Sequence, residues 1–361
     1  MHKTPLNAWH HANNGRMVDF AGWEMPVQYT SIVQEHAAVR SQVGVFDISH
    51  MGRLAFHGAD AAGFLNHVLT NDTARLNVGD VRYSLVCHAD GGILDDVLVY
   101  CLPEHWELVV NASNREKIVA WLQQQPGFVD SGFRDNTLQT GMIAVQGPEA
   151  VSLASELLSI DVGTLKYYTC VPMKFESQPA LLSRTGYTGE DGCEIVVPAE
   201  LTETLWLRLL AAGASRGIVP AGLGCRDTLR LEAAMPLYGH ELDEQTDPIT
   251  AGLLFGVKLN KDDFIGRDAI AAVKSAGPTK VRVGLELEGR RIAREHTPVE
   301  LDGRVVGEVT SGTFSPTLQK TIAMAYVETE LASNGTPLQV SLRGNLIPAV
   351  VVPLPFYRRA K

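Results

Sequence analysis

The sequence predicts an α+β protein: two related α+β units followed by a small antiparallel barrel or sandwich. Three observations carry this. At 361 residues the chain is too long for one ordinary core, so two or three domains are expected. A pattern of strand, Gly, acid, Ala and amphipathic helix occurs twice. It is seen at Leu54-Ala55-Phe56-His57-Gly58-Ala59-Asp60-Ala61 and at Ile143-Ala144-Val145-Gln146-Gly147-Pro148-Glu149-Ala150. Beyond Gly277-Pro278, which reads as a linker, almost every segment has a strand pattern with turn residues between.

Taken in order, the chain opens with a short helix around Leu6 to Asn13 and a compact loop, Met17 to Pro26. That loop is rich in aromatics and Met, so it is expected to pack into a core or line a pocket. A helix follows from Ser31 to about Ser41, then Val45 to Gly52 leads into a strand, Arg53 to His57. In the first repeat, Phe64, Leu65 and Val68 mark the helix. Asp90-Gly91-Gly92 then joins two apolar runs into a hairpin. Trp106 to Asn111 supplies a further strand, and Ser113 is the expected cap of a helix running to Leu122.

In the second repeat Pro148 suits a first helical turn, with the helix carried by Val151, Leu153, Ala154 and Leu157. Strands are expected at Cys170 to Phe175, Ala180 to Arg184 and Cys193 to Val197, with helices at Leu201 to Leu210, after Gly224, and up to about Ser275. The tail strands are Val281 to Leu287, Val305 to Thr310, Ile322 to Val327, Leu338 to Leu342 and Ile347 to Val352.

Composition narrows the function. A net charge of −10 argues against a nucleic-acid groove and against binding an anionic membrane, although Arg290, Arg291 and Arg294 could form a local basic patch. No apolar run approaches the ~20 residues that span a bilayer, and Met1 to Leu6 has no signal-peptide core. Five scattered cysteines without a C-x-x-C fit a reducing cytoplasm. No His spacing suggests a metal, so none is expected.

Two places could carry chemistry. After the Asp90-Gly91-Gly92 turn, the strand spends consecutive positions on Asp95 and Asp96, which alternation sends to opposite faces. Asp95 is expected with Ile93, Val97 and Val99, and Asp96 with Leu94, Leu98 and Tyr100. Taken alone, the pair reads as two solvated acids beside a turn. Both faces are nevertheless apolar, so at least one acid should meet a partner. The second place is Tyr187 to Glu194. Glu194 shares a strand face with Val196, opposite Cys193, Ile195 and Val197. An internal Arg partner and a ligand role are equally open. A carboxylate there would accept two parallel N–H bonds, as from a guanidinium or a 2-amino-pyrimidinone edge. Tyr187 could stack on such a ring or bond through its hydroxyl. Arg226 and Arg230 lie one helical turn apart, and either could simply pair with Asp227 or Glu232. Gly222-Leu223-Gly224 lacks the third glycine of a dinucleotide fingerprint, so nucleotide binding is rejected.

Taken together, the motifs resemble a known family. They are Met17-Val18-Asp19-Phe20-Ala21-Gly22-Trp23-Glu24-Met25-Pro26, Phe46-Asp47-Ile48-Ser49-His50-Met51-Gly52, Gly91-Gly92-Ile93-Leu94-Asp95-Asp96, Thr185-Gly186-Tyr187-Thr188-Gly189-Glu190, Gly224-Cys225-Arg226-Asp227-Thr228-Leu229-Arg230-Leu231-Glu232 and Thr310-Ser311-Gly312-Thr313-Phe314-Ser315-Pro316. They are similar, in order from Thr4 to Arg358, to the T-proteins of the glycine cleavage system, the aminomethyltransferases. The resemblance implies a three-domain cloverleaf around a central folate channel. Residues 1–276 would form two intertwined α+β domains with a break near 140, and residues 279–361 the C-terminal antiparallel β-barrel. It implies transfer of an aminomethyl carbon from the dihydrolipoyl arm of a lipoylated H-protein to tetrahydrofolate, giving 5,10-methylenetetrahydrofolate and ammonia, by a cytoplasmic monomer. By resemblance Asp96 is catalytic, and Tyr187, Glu194, Arg226, Met51, Tyr83 and Arg358 contact folate. Cys193 stands where the family pattern suggests an aromatic residue. The nearest alternative is another tetrahydrofolate-dependent one-carbon transferase or demethylase of the same superfamily. The demethylases lack the acid found here at Asp96.

Overall fold

The computed structural model describes residues 1–360. The chain begins with α1 (Asn7–Ala12), β1 (Arg16–Phe20), β2 (Trp23–Gln28) and α2 (Ile32–Ser41), the last capped by Ser31, which accepts the Gln34 N–H at 3.2 Å. β1 and β2 replace the loop expected at Met17 to Pro26. Their turn is Ala21-Gly22, with φ of 52° and 79°. Hairpins favour two positive φ values, but Ala adopts one reluctantly, so no Asn-Gly signal announced the turn. The expected burial is present, with Trp23 and Met25 inside.

Next come β3 (Gly44–Asp47), β4 (Gly52–Phe56), α3 (Ala61–Val68), β5 (Val81–Cys87), β6 (Ile93–Cys101), β7 (Trp106–Val110), α4 (Arg115–Leu122) and β8 (Phe133–Asp135). They are followed by β9 (Thr140–Gln146), α5 (Ala150–Leu158), β10 (Cys170–Phe175), β11 (Gln178–Ser183), β12 (Gly192–Pro198), α6 (Thr202–Ala212), β13 (Val219–Pro220), α7 (Leu223–Glu232) and α8 (Arg267–Ala276). The two sheets have the orders β5-β6-β7-β4-β8 and β10-β11-β12-β9-β3-β13. The repeat glimpsed at Leu54 and Ile143 therefore runs through whole units: β4-α3-β5-β6-β7-α4 is matched by β9-α5-β10-β11-β12-α6. β3 precedes the first unit yet pairs with β9 of the second (Val45 opposite Val145), which interlaces the two.

Each sheet is covered on its outer face by its own helices. Phe64, Leu65 and Ile118 pack on Leu54 and Val99, and Leu153, Leu205 and Leu209 pack on Val145 and Ile195. The inner faces meet each other through Val81, Tyr100 and Val109 on one side and Phe46, Met142 and Leu181 on the other. Strands buried on both faces read as apolar on both. The structure thus explains the character of the Asp95/Asp96 strand.

The remainder is a closed barrel, in the order β14 (Lys280–Leu287), β17 (Lys320–Glu328), β16 (Arg304–Ser315), β15 (Pro298–Leu301), β18 (Pro337–Leu342) and β19 (Asn345–Val352). Closure decides between the expected barrel and sandwich. β15 was not foreseen from the sequence, because it is short and starts with Pro, which strands accept at a first position. The barrel is locked to α7 by buried polar groups. Arg230 bonds Glu241 (2.7 Å) and Ser311 (2.9 Å), while Glu232 accepts from Thr317 Oγ1 (2.8 Å) and Arg40 Nη2 (2.8 Å).

The β5–β6 turn is pressed against a neighbouring segment. A Cβ on Gly92 would stand 2.0 Å from the backbone oxygen of Glu244. Gly92→Ala is expected to destabilise the fold by roughly 1–3 kcal/mol, read as a drop of several degrees in the thermal unfolding midpoint.

Candidate active site

A cavity of about 900 Å³ opens where β6, β12, α7 and the barrel converge, with Val18 and Phe20 of the first hairpin on one wall. That volume is typical of sites for extended organic ligands. Asp96, Glu194, Tyr187, Arg226, Met51 and Tyr83 all line it, although they are scattered from residue 51 to residue 226 of the chain.

The alternation on β6 holds for the two acids and fails just before them. Leu85 pairs with Asp96 and Val86 with Asp95, but Cys87 pairs with Ile93, leaving Leu94 as a bulge. An extra residue shifts the facing pattern on one side of it. Leu94 consequently joins Val97 and Val99 under the helices, and Ile93 joins Leu85 on the other face. This corrects the grouping of Leu94 with Asp96 and of Ile93 with Asp95. Neither acid is solvated in the ordinary sense, since Asp95 is fully buried and Asp96 opens only onto the cavity.

Asp95 is held by neutral donors alone: Asn111 N (3.1 Å), Asn111 Nδ2 (2.8 Å) and Asn114 Nδ2 (2.6 Å). Asn114 is also the N-cap position of α4, which replaces Ser113 as the start of that helix, and its side chain serves Asp95 rather than the helix. Asp96 accepts from Asn111 Nδ2 at Oδ1 (2.8 Å) and from Tyr83 Oη at Oδ2 (3.1 Å). Burial raises the pKa of both carboxyls above the ordinary range. The charge of Asp96 pushes Asp95 further up, whereas the Asn111 and Tyr83 donors pull Asp96 back down.

Opposite, β12 alternates as expected. Cys193, Ile195 and Val197 enter the outer core, and Glu194 faces the cavity. Cys193 therefore touches no ligand space, whatever residue stands there. Glu194 Oε2 accepts from Thr185 Oγ1 (2.5 Å). Among the described residues Oε1 has no hydrogen-bond partner, and burial raises the pKa of the group. Arg226 places its guanidinium 4.6 Å from the Tyr187 ring centre and makes no hydrogen bond or ion pair among the described residues. The charge of Glu194 reaches it without contact. Arg230, by contrast, is structural: it pairs with Asp227 (2.8 Å) and Glu241 and is buried.

α7 can bring Arg226 here because Gly222 and Gly224 let the helix start against β2 and α2. A Cβ at Gly222 would meet Val27 backbone at 2.4 Å, and one at Gly224 would meet Ile32 Cδ1 at 2.5 Å. The Gly-Leu-Gly fragment is a packing device.

Two expectations need correction. The Tyr187 hydroxyl is not offered to a ligand, because it donates to Pro236 O (2.5 Å); only the ring remains available. Arg358 does not line the cavity. It is exposed and folds back on Leu354 O at 3.5 Å, since the chain after β19 runs along α7 and α2, with Tyr357 N donating to Glu232 O (2.8 Å) and its ring under Arg40. Three cavity residues were missed. Asn111 closes the strand that was read only as a strand. Arg282 sits on the barrel wall, bonded to Ala234 O at 3.1 Å. His50 is buried with Nδ1 unpartnered, and burial together with Arg226 lowers its pKa to about 3, so its imidazole is neutral. His50 lies within the Phe46 to Gly52 motif, while Asn111 and Arg282 carry no local signal.

The sequence matches the models of two families along almost its whole length: the GCVT N-terminal domain over residues 6–261 and the glycine cleavage T-protein C-terminal barrel domain over residues 280–358. The chain belongs to the glycine cleavage T-protein family. It is 45% identical to an aminomethyltransferase of Desulfitobacterium hafniense, over 99% of this chain and 98% of that one. It is 50% identical to one of Streptomyces avermitilis, with 99% and 98% covered. The crystal structure of glycine cleavage system aminomethyltransferase T from Bartonella henselae superposes with a TM-score of 0.93 at 34% identity, covering 100% of this chain and 99% of that one. The T-protein fold is thus common to both chains from end to end. No helix among the described residues is long and apolar enough to cross a membrane.

Proposed function

We propose that this protein is an aminomethyltransferase of a glycine cleavage system. It moves the aminomethyl carbon from the dihydrolipoyl arm of an H-protein to tetrahydrofolate and releases ammonia. The observation that carries this reading is a single cavity with a neutral-donor-held carboxylate, Asp96, on one wall and a half-satisfied carboxylate, Glu194, on another.

The residues fit tetrahydrofolate. Glu194 Oε1 lacks a partner, and a pterin's 2-amino and ring N–H groups are a matching pair of donors. The Tyr187 ring under the Arg226 guanidinium makes a flat, cationic wall. Met51, Leu98 and Val18 supply the apolar lining. When bound, folate supplies the nucleophilic nitrogens that take up the carbon.

The protein's part is electrostatic and positional. The carbon passes through an iminium-like cation as it leaves sulfur. The Asp96 carboxylate, kept from water by burial, stabilises that charge and accepts the proton of the attacking amine. Its hydrogen-bond donors are neutral and the charge of Arg282 acts on it without contact, so burial still holds its basicity above that of an ordinary carboxylate. Ammonia leaves, and the cavity walls keep water from the electrophilic carbon.

The division into a folate-binding region, residues 1–276, and a barrel, residues 279–361, follows the same reading. So does a cytoplasmic setting, which the buried, unpaired state of all five cysteines supports. The test is direct. Purified protein, tetrahydrofolate and aminomethyl-loaded H-protein are mixed, and ammonia and 5,10-methylenetetrahydrofolate are measured in equal amounts. No ammonia from loaded H-protein, with one-carbon transfer to tetrahydrofolate from a methylated donor supplied in its place, would instead favour the demethylase reading.

A further inference from the structure

Asn111 lies just beyond the end of β7, level with Asp96 on the neighbouring strand. Its backbone N–H donates to Asp95 Oδ2 (3.1 Å) and its Nδ2 to Asp95 Oδ1 (2.8 Å), so one buried carboxylate grips it at two points. An amide nitrogen has two protons. With the first committed to Asp95, the second is directed at Asp96, where Oδ1 at 2.8 Å is nearer than the backbone oxygen at 3.1 Å. The side chain thereby reaches around the strand and ties together acids that alternation sends to opposite faces.

We propose that Asn111 is a positioning residue for Asp96, and that Asp95 acts on the reaction through it. The inference rests on the role assigned above to Asp96. Asp96 has one side-chain donor on each oxygen, Tyr83 on Oδ2 and Asn111 on Oδ1, which sets the plane of the carboxylate while leaving each oxygen a free lone pair. A carboxylate that opens on a cavity could be satisfied by water, but water would leave it free to rotate. Asp95 needs no amide from Asn111 for its own sake alone, since Asn114 Nδ2 donates to the same oxygen at 2.6 Å. Its two-point hold on Asn111 is what turns the second proton towards the cavity. The arrangement also sets basicity: each donor favours the ionised form of Asp96 against burial, as does the charge of Arg282 on the barrel wall, which reaches it without contact.

The test uses full-length enzyme and compares Asn111→Ala with Asn114→Ala, which removes a donor to Asp95 alone. Asn111→Ala is expected to lower kcat at least about 10-fold, with the KM for tetrahydrofolate within about threefold. The acidic limb of its pH–rate profile should move up by about half to one pH unit. Asn114→Ala should lower the unfolding midpoint comparably without moving the limb. Asn111→Ser, a milder change, provides the same limb comparison if the alanine variant does not fold. An Asn111 variant that loses stability but keeps the wild-type kcat and limb overturns the proposal, as does an equal limb shift in Asn114→Ala. Infrared difference titration of the free enzyme against Asp96→Asn reads the Asp96 carboxyl directly. It therefore separates failure of this inference from failure of the aminomethyltransferase reading.

Discussion

Asp96→Asn is expected to lower kcat for aminomethyl transfer by about 10³-fold or more while leaving the Kd for tetrahydrofolate within about threefold. The asymmetry follows from what Asp96 touches. Its contacts are Tyr83 Oη and Asn111 Nδ2, and both belong to the protein. Asn keeps the size and one acceptor, so the cavity keeps its shape. It removes the negative charge and the basic site, which matter most when the carbon is cationic. Interactions of that kind appear in kcat rather than in ground-state binding.

The pH dependence has a definite sign. In the proposed role Asp96 works ionised, and burial raises its pKa above the ordinary carboxylate range. Activity should therefore be present above that raised value and lost as pH falls through it, with an acidic limb higher than an exposed Asp would give. Single-turnover rates with loaded H-protein, measured across pH, check both statements. A variant with full turnover, or a wild-type limb at the position of an exposed carboxylate, removes Asp96 from the mechanism.

The elements with strong local signals were legible in the sequence. The helix from Ser31 to Ser41, the Asp90-Gly91-Gly92 turn, the alternation of Cys193 to Val197 and the repeat at Leu54 and Ile143 all appear where the residues indicate. What was not legible depended on partners far along the chain. The Leu94 bulge lies in the pairing of β6 with β5, and one strand's residues cannot report a mismatch with another. Ser113 loses the cap position because the Asn114 amide is drawn to Asp95, nineteen residues earlier. The Tyr187 hydroxyl is taken by Pro236 O, which no spacing forecasts. Arg282 reaches the cavity from the barrel, a separate core, so only docking of the barrel on α7 reveals it. Arg358 was carried by resemblance alone, and the path of the chain after β19 leads it elsewhere. Local chemistry foretold which residues matter on one strand. Whether two strands bring them together is a property of packing.

Glu194→Gln is expected to raise the Kd for tetrahydrofolate by about 100-fold, a loss of roughly 2–3 kcal/mol, while the ligand-free protein keeps or gains stability. The two halves of this expectation have one cause. Glu194 is 6% exposed, has Thr185 Oγ1 on Oε2, and among the described residues has nothing on Oε1. A buried carboxylate so poorly supplied costs the fold desolvation energy, which its raised pKa records. Arg226 relieves it only in part, because its charge acts without contact while the guanidinium lies on Tyr187 instead of forming an ion pair. The missing donors are those a pterin edge brings. Gln offers one acceptor where two are needed, and its NH₂ faces the ligand's own donors, so binding suffers twice. The same residue in the empty protein is neutral and costs less to bury. Stability alone would favour the exchange, so the proposed reading accounts for the acid by a ligand that completes it. The pH sign agrees: protonation of Glu194 removes an acceptor, so folate affinity should fall as pH drops through its raised value. Isothermal titration with tetrahydrofolate and thermal unfolding of the ligand-free variant measure the two halves separately. Unchanged affinity would move the pterin to another wall, and a large loss of ligand-free stability would make Glu194 a structural acid.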